Sequence, residues 1–144
     1  MEGAIKSALD DFEEAIRRDP KNGDVHNGRG LMRAKLGRSG ADSDAQEALR
    51  LGPMTARHVW SAARIYAELV GHIDKVRDQH RSTLTDRVDY QHQAVQLLHQ
   101  ALILTDAAER ESFWQGKIQN DTTFDTIRTS RPYAELSREF APKR

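Results

Sequence analysis

Residues 41–53 read ADSDAQEALRLGP, and residues 8–20, 33 positions earlier, read ALDDFEEAIRRDP. Both stretches place a small residue first, an apolar one four on, alanine three further on, and proline at the end. The members are Ala41, Ala45, Ala48 and Pro53, and Ala8, Phe12, Ala15 and Pro20. A third stretch, residues 94–106, keeps Ala94, Leu98 and Ala101 but has Asp106 in place of the proline. The spacing i, i+4, i+7 puts three side chains on one helical stripe. Small residues there let a neighbouring helix approach closely, and a proline just past the end stops the helix. Repetition of such a unit predicts stacked helices, an architecture suited to binding.

Reading outward from these stripes predicts helices along the chain. A first helix over 3–18 carries Ile5, Leu9, Phe12 and Ile16 on its apolar face. Asp24 is a candidate cap for a second over about 25–36, and a third follows over about 41–51. A fourth, about 55–70, contains Val59, Trp60, Ala63, Tyr66, Ala67 and Val70 and is expected to end at Gly71. Residues 72–84 are strongly polar and read as a loop or a helical extension into solvent. A long helix over about 86–104 turns Val88, Val95, Leu98, Ala101 and Leu102 inward, and another covers about 107–118 around Phe113, Trp114 and Ile118. Asp121 can cap a short helix with Phe124 and Ile127, and Ser130 with Pro132 opens a last one bearing Tyr133, Leu136 and Phe140.

Composition narrows the class of function. The 144 residues suffice for one domain with a real core, and no linker divides them. The 22 basic and 22 acidic side chains balance, which argues against a nucleic-acid partner. With no cysteine, disulfides and thiol catalysis are excluded. The acidic run from Asp10 to Glu14 leaves no signal-peptide core, and no apolar stretch approaches a membrane span. A cytoplasmic, all-α protein without a membrane role is expected.

The 33-residue period resembles the tetratricopeptide repeat, a 34-residue helix–turn–helix unit. Ala8, Phe12, Ala15 and Pro20 match its second helix. Gly30, Gly37, Ala41, Ala45, Ala48 and Pro53 match one whole unit, and Ala63, Tyr66, Ala94, Leu98 and Ala101 another. The tail, with Asp121, Phe124, Ile127, Arg128, Tyr133 and Leu136, resembles the closing pattern of bacterial proteins of this family. The resemblance implies a right-handed superhelix of stacked repeats: a half repeat over 3–22, repeats over 23–55 and 56–106, and capping helices over 107–140. Two departures stand out. The first unit lacks its first helix, which suggests a fragment or a bare face for association, and the stretch 71–85 is an insertion foreign to the motif.

The resemblance also implies a concave groove lined by the first helix of each unit. Its groove positions fall on Asp24, Asn27, Leu31, Ala34 and Lys35, then on Arg57, Trp60, Arg64, Ala67 and Glu68, and in the terminal helices on Arg110, Phe113 and Lys117. Of these, Asn27, Leu31, Lys35, Arg57, Trp60, Arg64, Arg110, Phe113 and Lys117 are the candidate peptide contacts. Such a groove is basic with aromatic floors, and an extended acidic peptide or a C-terminal carboxylate suits it. The competing reading makes the charges a solvated face and the aromatics core. Asn27 and Leu31 stand where the chaperone-binding relatives have Lys and Asn, which puts their two-carboxylate clamp in doubt.

No other constellation carries chemistry. His58, His72, His80, His92 and His99 lack metal-ligand spacing and read as solvated, and the Asp10, Glu13 and Glu14 cluster reads as a wet helix face. There is no phosphate loop and no nucleophile elbow. The expected function is a non-catalytic adaptor binding a protein or peptide segment, with no cofactor and no metal. The alternatives are a structural or docking module that dimerises through Ile5, Leu9, Phe12 and Ile16, and an enzyme built by long-range convergence.

Overall fold

The computed structural model describes residues 1–76 and 81–143, and among them every regular element is helical. Five long helices come first: α1 Glu2–Arg18, α2 Gly23–Leu36, α3 Ala41–Leu51, α4 Ala56–Val76 and α5 Arg81–Leu104. A 3₁₀ turn at Ala107–Glu109, the short α6 Arg110–Phe113, a π-helical turn at Trp114–Gln119 and a 3₁₀ segment at Thr122–Ile127 follow. The chain ends in α7 Arg131–Phe140. No helix of the described residues is long and apolar enough to cross a membrane.

Local chemistry sets the helix ends. Asn22, not Asp24, caps α2: its side chain accepts from the Asp24 N–H at 3.1 Å. The other end of α2 closes on Gly37 at φ +67°, with Arg38 N–H donating to Arg33 O (2.8 Å) and Gly37 N–H to Ala34 O (3.2 Å). This double bond pattern satisfies carbonyls that the helix leaves free. Asp121 and Ser130 cap their segments as the sequence predicts, accepting from Thr123 N–H and Tyr133 N–H.

Neighbours in the chain are neighbours in space. α1 packs on α2, α2 on both α3 and α4, α3 on α4, and α4 on α5 and on the 122–127 segment. Two of the three alanine stripes lie inside the packed helices. Ala41, Ala45, Ala48, Ala94, Leu98 and Ala101 are all buried, while Ala8, Phe12 and Ala15 are half-buried. α4 runs through the core with Val59, Ala62, Ala63, Ile65, Ala67 and Val70 wholly covered. With no room left beside Ala45, Ala45→Leu will destabilise the fold by roughly 1–3 kcal/mol through overpacking, read from the urea midpoint.

Four expectations are corrected. Gly71 does not end α4, which runs on to Val76. The residue serves packing there, because a Cβ would lie 3.1 Å from Thr126 Cγ2. The polar stretch 71–85 is accordingly helical at both ends, joined across by the Asp74–Arg87 ion pair at 2.7 Å; residues 77–80, including His80, lie outside the described residues. Val88 is 48% exposed rather than inward. The apolar face of α1 is not bare: Leu9 is 1% exposed, and the Phe12 ring lies against Gly28 of α2. The predicted helix over 107–118 is broken into 3₁₀, α and π turns. Lys117 O is drawn to the Trp60 indole N–H at 2.8 Å, and Asn120 N–H reaches back five residues to Gln115 O.

Candidate functional site

The predicted contact residues divide into three places. The first is a cleft of about 350 Å³ between α1, α2 and α4, where Asn27, Leu31, Arg57 and Arg64 meet Phe12, Gly28 and Ser61. The spacing 24, 27, 28, 31 on α2 and 57, 61, 64 on α4 makes the two walls, since each set is one helical stripe. Phe12 reaches over from α1 onto Gly28.

Asn27 sits deep in this wall at 5% exposure. Its Nδ2 donates to His58 O at 3.2 Å, and its Oδ1 is buried with no hydrogen-bond partner. Arg57 is exposed and makes no ion pair among the described residues. Leu31 is half-buried and packs on the core.

Trp60, Arg64 and Lys117 form the second group. The indole of Trp60 lies between two cations, Arg64 Cζ at 5.1 Å and Lys117 Nζ at 4.9 Å from the ring centre. Each such contact contributes about 0.5–1 kcal/mol at an exposed site. Arg64 Nε is 3.1 Å from Asp121 Oδ2, an ion pair without the alignment of a hydrogen bond. Here the chain's own capping segment takes up the polar edge of Trp60 and the charge of Arg64.

The remaining residues stand apart. Lys35 pairs with Glu68 at 3.4 Å across α2 and α4. Arg110 Nε–H donates to Leu102 O (2.9 Å) and Thr105 O (3.1 Å), so it caps the carbonyl end of α5. Phe113 is half-buried and packs on the core. Of the basic residues the groove reading assembled, Arg57 is the one left unpaired in the cleft, and Lys117 is held over Trp60.

No family model, characterised protein or solved structure matches the chain in comparisons with each.

Two clusters escape the sequence reading. His58, expected to be solvated, is 2% exposed. Its Nε2–H donates to Ala48 O at 2.6 Å, and its Nδ1 lies 3.0 Å from Asp24 Oδ1, so one ring ties α4 to the end of α3 and the start of α2. Its place four residues before Ala62 and seven before Ile65, on the buried stripe of α4, is the signal that marks it. The second cluster surrounds Asp44, 3% exposed on α3. Arg29 donates to both its oxygens, closest at 2.7 Å, Arg33 Nη1 sits at 2.9 Å, and His26 Nδ1 lies 3.9 Å away. Asp44 falls three residues after Ala41, on the face the alanine stripe buries, and a carboxylate there demands cations.

The displaced titrations lie outside the cleft. Burial pushes the phenols of Tyr66 and Tyr90 up. Burial opposes the charge on Arg128, but its hydrogen bond to Asp125 and its contact with Tyr133 outweigh that and hold the guanidinium above its ordinary value. Among the described residues no three His, Asp or Glu side chains converge as a metal site requires.

Proposed function

We propose that this chain is a non-catalytic helical-repeat adaptor of the tetratricopeptide type, and that a segment of a partner protein lies in the α1–α2–α4 cleft. The observation that carries the reading is the coincidence of packing and cleft. α2 packs on α3 and also skips ahead to α4, as first helices of successive repeats do. The cleft opens along that α2–α4 seam and is lined by the apolar side chains of Phe12 and Leu31 together with polar groups on both helices. Its volume is within the range of sites that hold small ligands or a few residues of peptide.

In this reading the acidic preference rests on one residue. Lys35 and Arg64 already have carboxylate partners within the chain and Arg110 is bonded to backbone carbonyls, so in this reading a carboxylate on the ligand is received at Arg57. A random 12-residue peptide library selected against the protein tests both points. Arg57→Glu will weaken acidic selected peptides by at least about tenfold, with the melting temperature unchanged. Arg64→Glu will instead lower the melting temperature, because it sets two carboxylates together at Asp121. Selected peptides that ignore Arg57 but depend on Arg64 would move the site to the Trp60 platform.

A structural module remains the second reading, favoured by one observation: Val76, Leu84 and Val88 are exposed along the outer ends of α4 and α5. Light scattering separates the two, since the adaptor reading expects a monomer and the module a dimer.

A further inference from the structure

We propose that the C-terminal end of α5 is a docking surface for a basic, amphipathic segment of another protein. The surface is independent of the cleft and stands whether or not the cleft binds. Its centre is Met54, Ile103 and Leu104, which are 50%, 52% and 41% exposed.

The three side chains form one patch. Met54 lies in the α3–α4 loop between Pro53 and Thr55, which line the cleft; Met54 does not. Its sulfur instead accepts from Gln100 Nε2 of α5 at 3.4 Å. Ile103 and Leu104 follow Gln100 by three and four residues, so both stand beside it on the last turn of the helix. Large apolar side chains exposed singly are ordinary, but three gathered from two parts of the fold mark a contact surface. A methionine among them can repack around different partner side chains.

The charge around the patch selects the partner. α5 has no basic residue in its last turn, so the negative end of its dipole is met from beyond the helix, by Arg110. Asp106, Glu109 and Glu111 come directly after α5, exposed and without an ion pair among the described residues. Asp106 precedes the 107–109 turn without capping it. The two cations nearest in sequence are both engaged. Arg110 Nε–H donates to Leu102 O and Thr105 O, and the Lys117 ammonium lies 4.9 Å from the Trp60 ring centre. Towards the loop, Arg50 is paired with Glu47 and Arg57 lines the cleft.

An apolar centre with uncommitted carboxylates at its edge fits leucine-like anchors followed, about one turn on, by lysine or arginine. The same carboxylates repel an anionic lipid surface and nucleic acid, whose charge has the same sign.

The test uses three probes. ¹⁵N-labelled protein is titrated with a 14-residue amphipathic peptide of leucine and lysine, with its glutamate-for-lysine counterpart, and with its serine-for-leucine counterpart. The first should shift the backbone amides of Met54, Ile103, Leu104, Asp106 and Glu109, and the other two should bind at least about tenfold more weakly. Ile103→Ser weakens the apolar centre, and Asp106→Lys with Glu109→Lys reverses the edge. Each variant should lose at least about tenfold in affinity for the first peptide, with the melting temperature within a few degrees of the parent because these side chains are exposed. A glutamate peptide that binds as tightly, or a charge-reversed protein that binds like the parent, would overturn the charge match. Shifts confined to the α1–α2–α4 cleft or to the acidic face of α1, or no shifts at all, would overturn the site. Sedimentation of the protein with phosphatidylserine vesicles, or a dimer in light scattering that Ile103→Ser dissolves, would overturn the proposal by giving the patch to a membrane or to a second copy.

Discussion

Asp44→Ala will lower the free energy of unfolding by roughly 3 kcal/mol, the cost of leaving buried charge without its counter-ion. The carboxylate is 3% exposed and holds Arg29 and Arg33, whose side chains are 20% and 23% exposed. Removing it leaves two guanidinium groups of α2, one turn apart, side by side at the α2–α3 seam with His26 near them and no counter-ion. The loss is electrostatic rather than a matter of volume. A triple variant, Asp44→Leu with Arg29→Met and Arg33→Met, should therefore recover most of it, because an apolar trio of similar size replaces the ions without stranding any. Urea denaturation of the three proteins reads both effects. A single variant as stable as the parent would mean that the cluster is effectively solvated.

The second large effect is expected at Gly23, the first residue of α2. A Cβ there would lie 2.3 Å from Gly52 O, 2.9 Å from His58 Cε1 and 3.0 Å from Ala48 O. Two of the three obstacles are backbone carbonyls at the end of α3, which cannot swing aside as a side chain can. Ala48 O is moreover the acceptor for both Gly52 N–H and His58 Nε2–H. Gly23→Ala will push α2 away from this junction, at about 3 kcal/mol for an overpacked contact with no escape. Gly3→Ala is the control: nothing lies within 4 Å of its added methyl, and it should be neutral or slightly stabilising. A drop in melting temperature for Gly23→Ala alone is the predicted outcome.

These two sites show where reading the sequence succeeds and where it stops. The alanine stripes announce close helix contacts because helix periodicity is local, and Ala41, Ala45, Ala48, Ala94 and Ala101 are indeed buried. Caps such as Asp121 and Ser130 are legible for the same reason. Gly71 misleads, because its reason is Thr126, fifty-five residues on, which no local rule sees. The 107–118 stretch misleads likewise: the Trp60 indole takes a carbonyl from it across the fold.

The site was legible in part. A register places Asn27, Leu31, Arg57 and Arg64 along one surface, and they do line one cleft. It cannot say which charges the chain spends on itself. Lys35 goes to Glu68, Arg64 to Asp121 and Arg110 to the end of α5, each by a long-range or backbone contact.

The central claim is that the α1–α2–α4 cleft is where a partner segment binds, and filling the cleft tests it most directly. Ser61 is half-buried on the α4 wall, and Ser61→Trp places an indole in the space without touching the core stripe of α4. Peptides selected against the parent protein should lose binding to this variant by at least about a hundredfold, a change of about 2.7 kcal/mol, while its melting temperature stays within a few degrees. Undiminished binding to a folded Ser61→Trp protein would contradict the account.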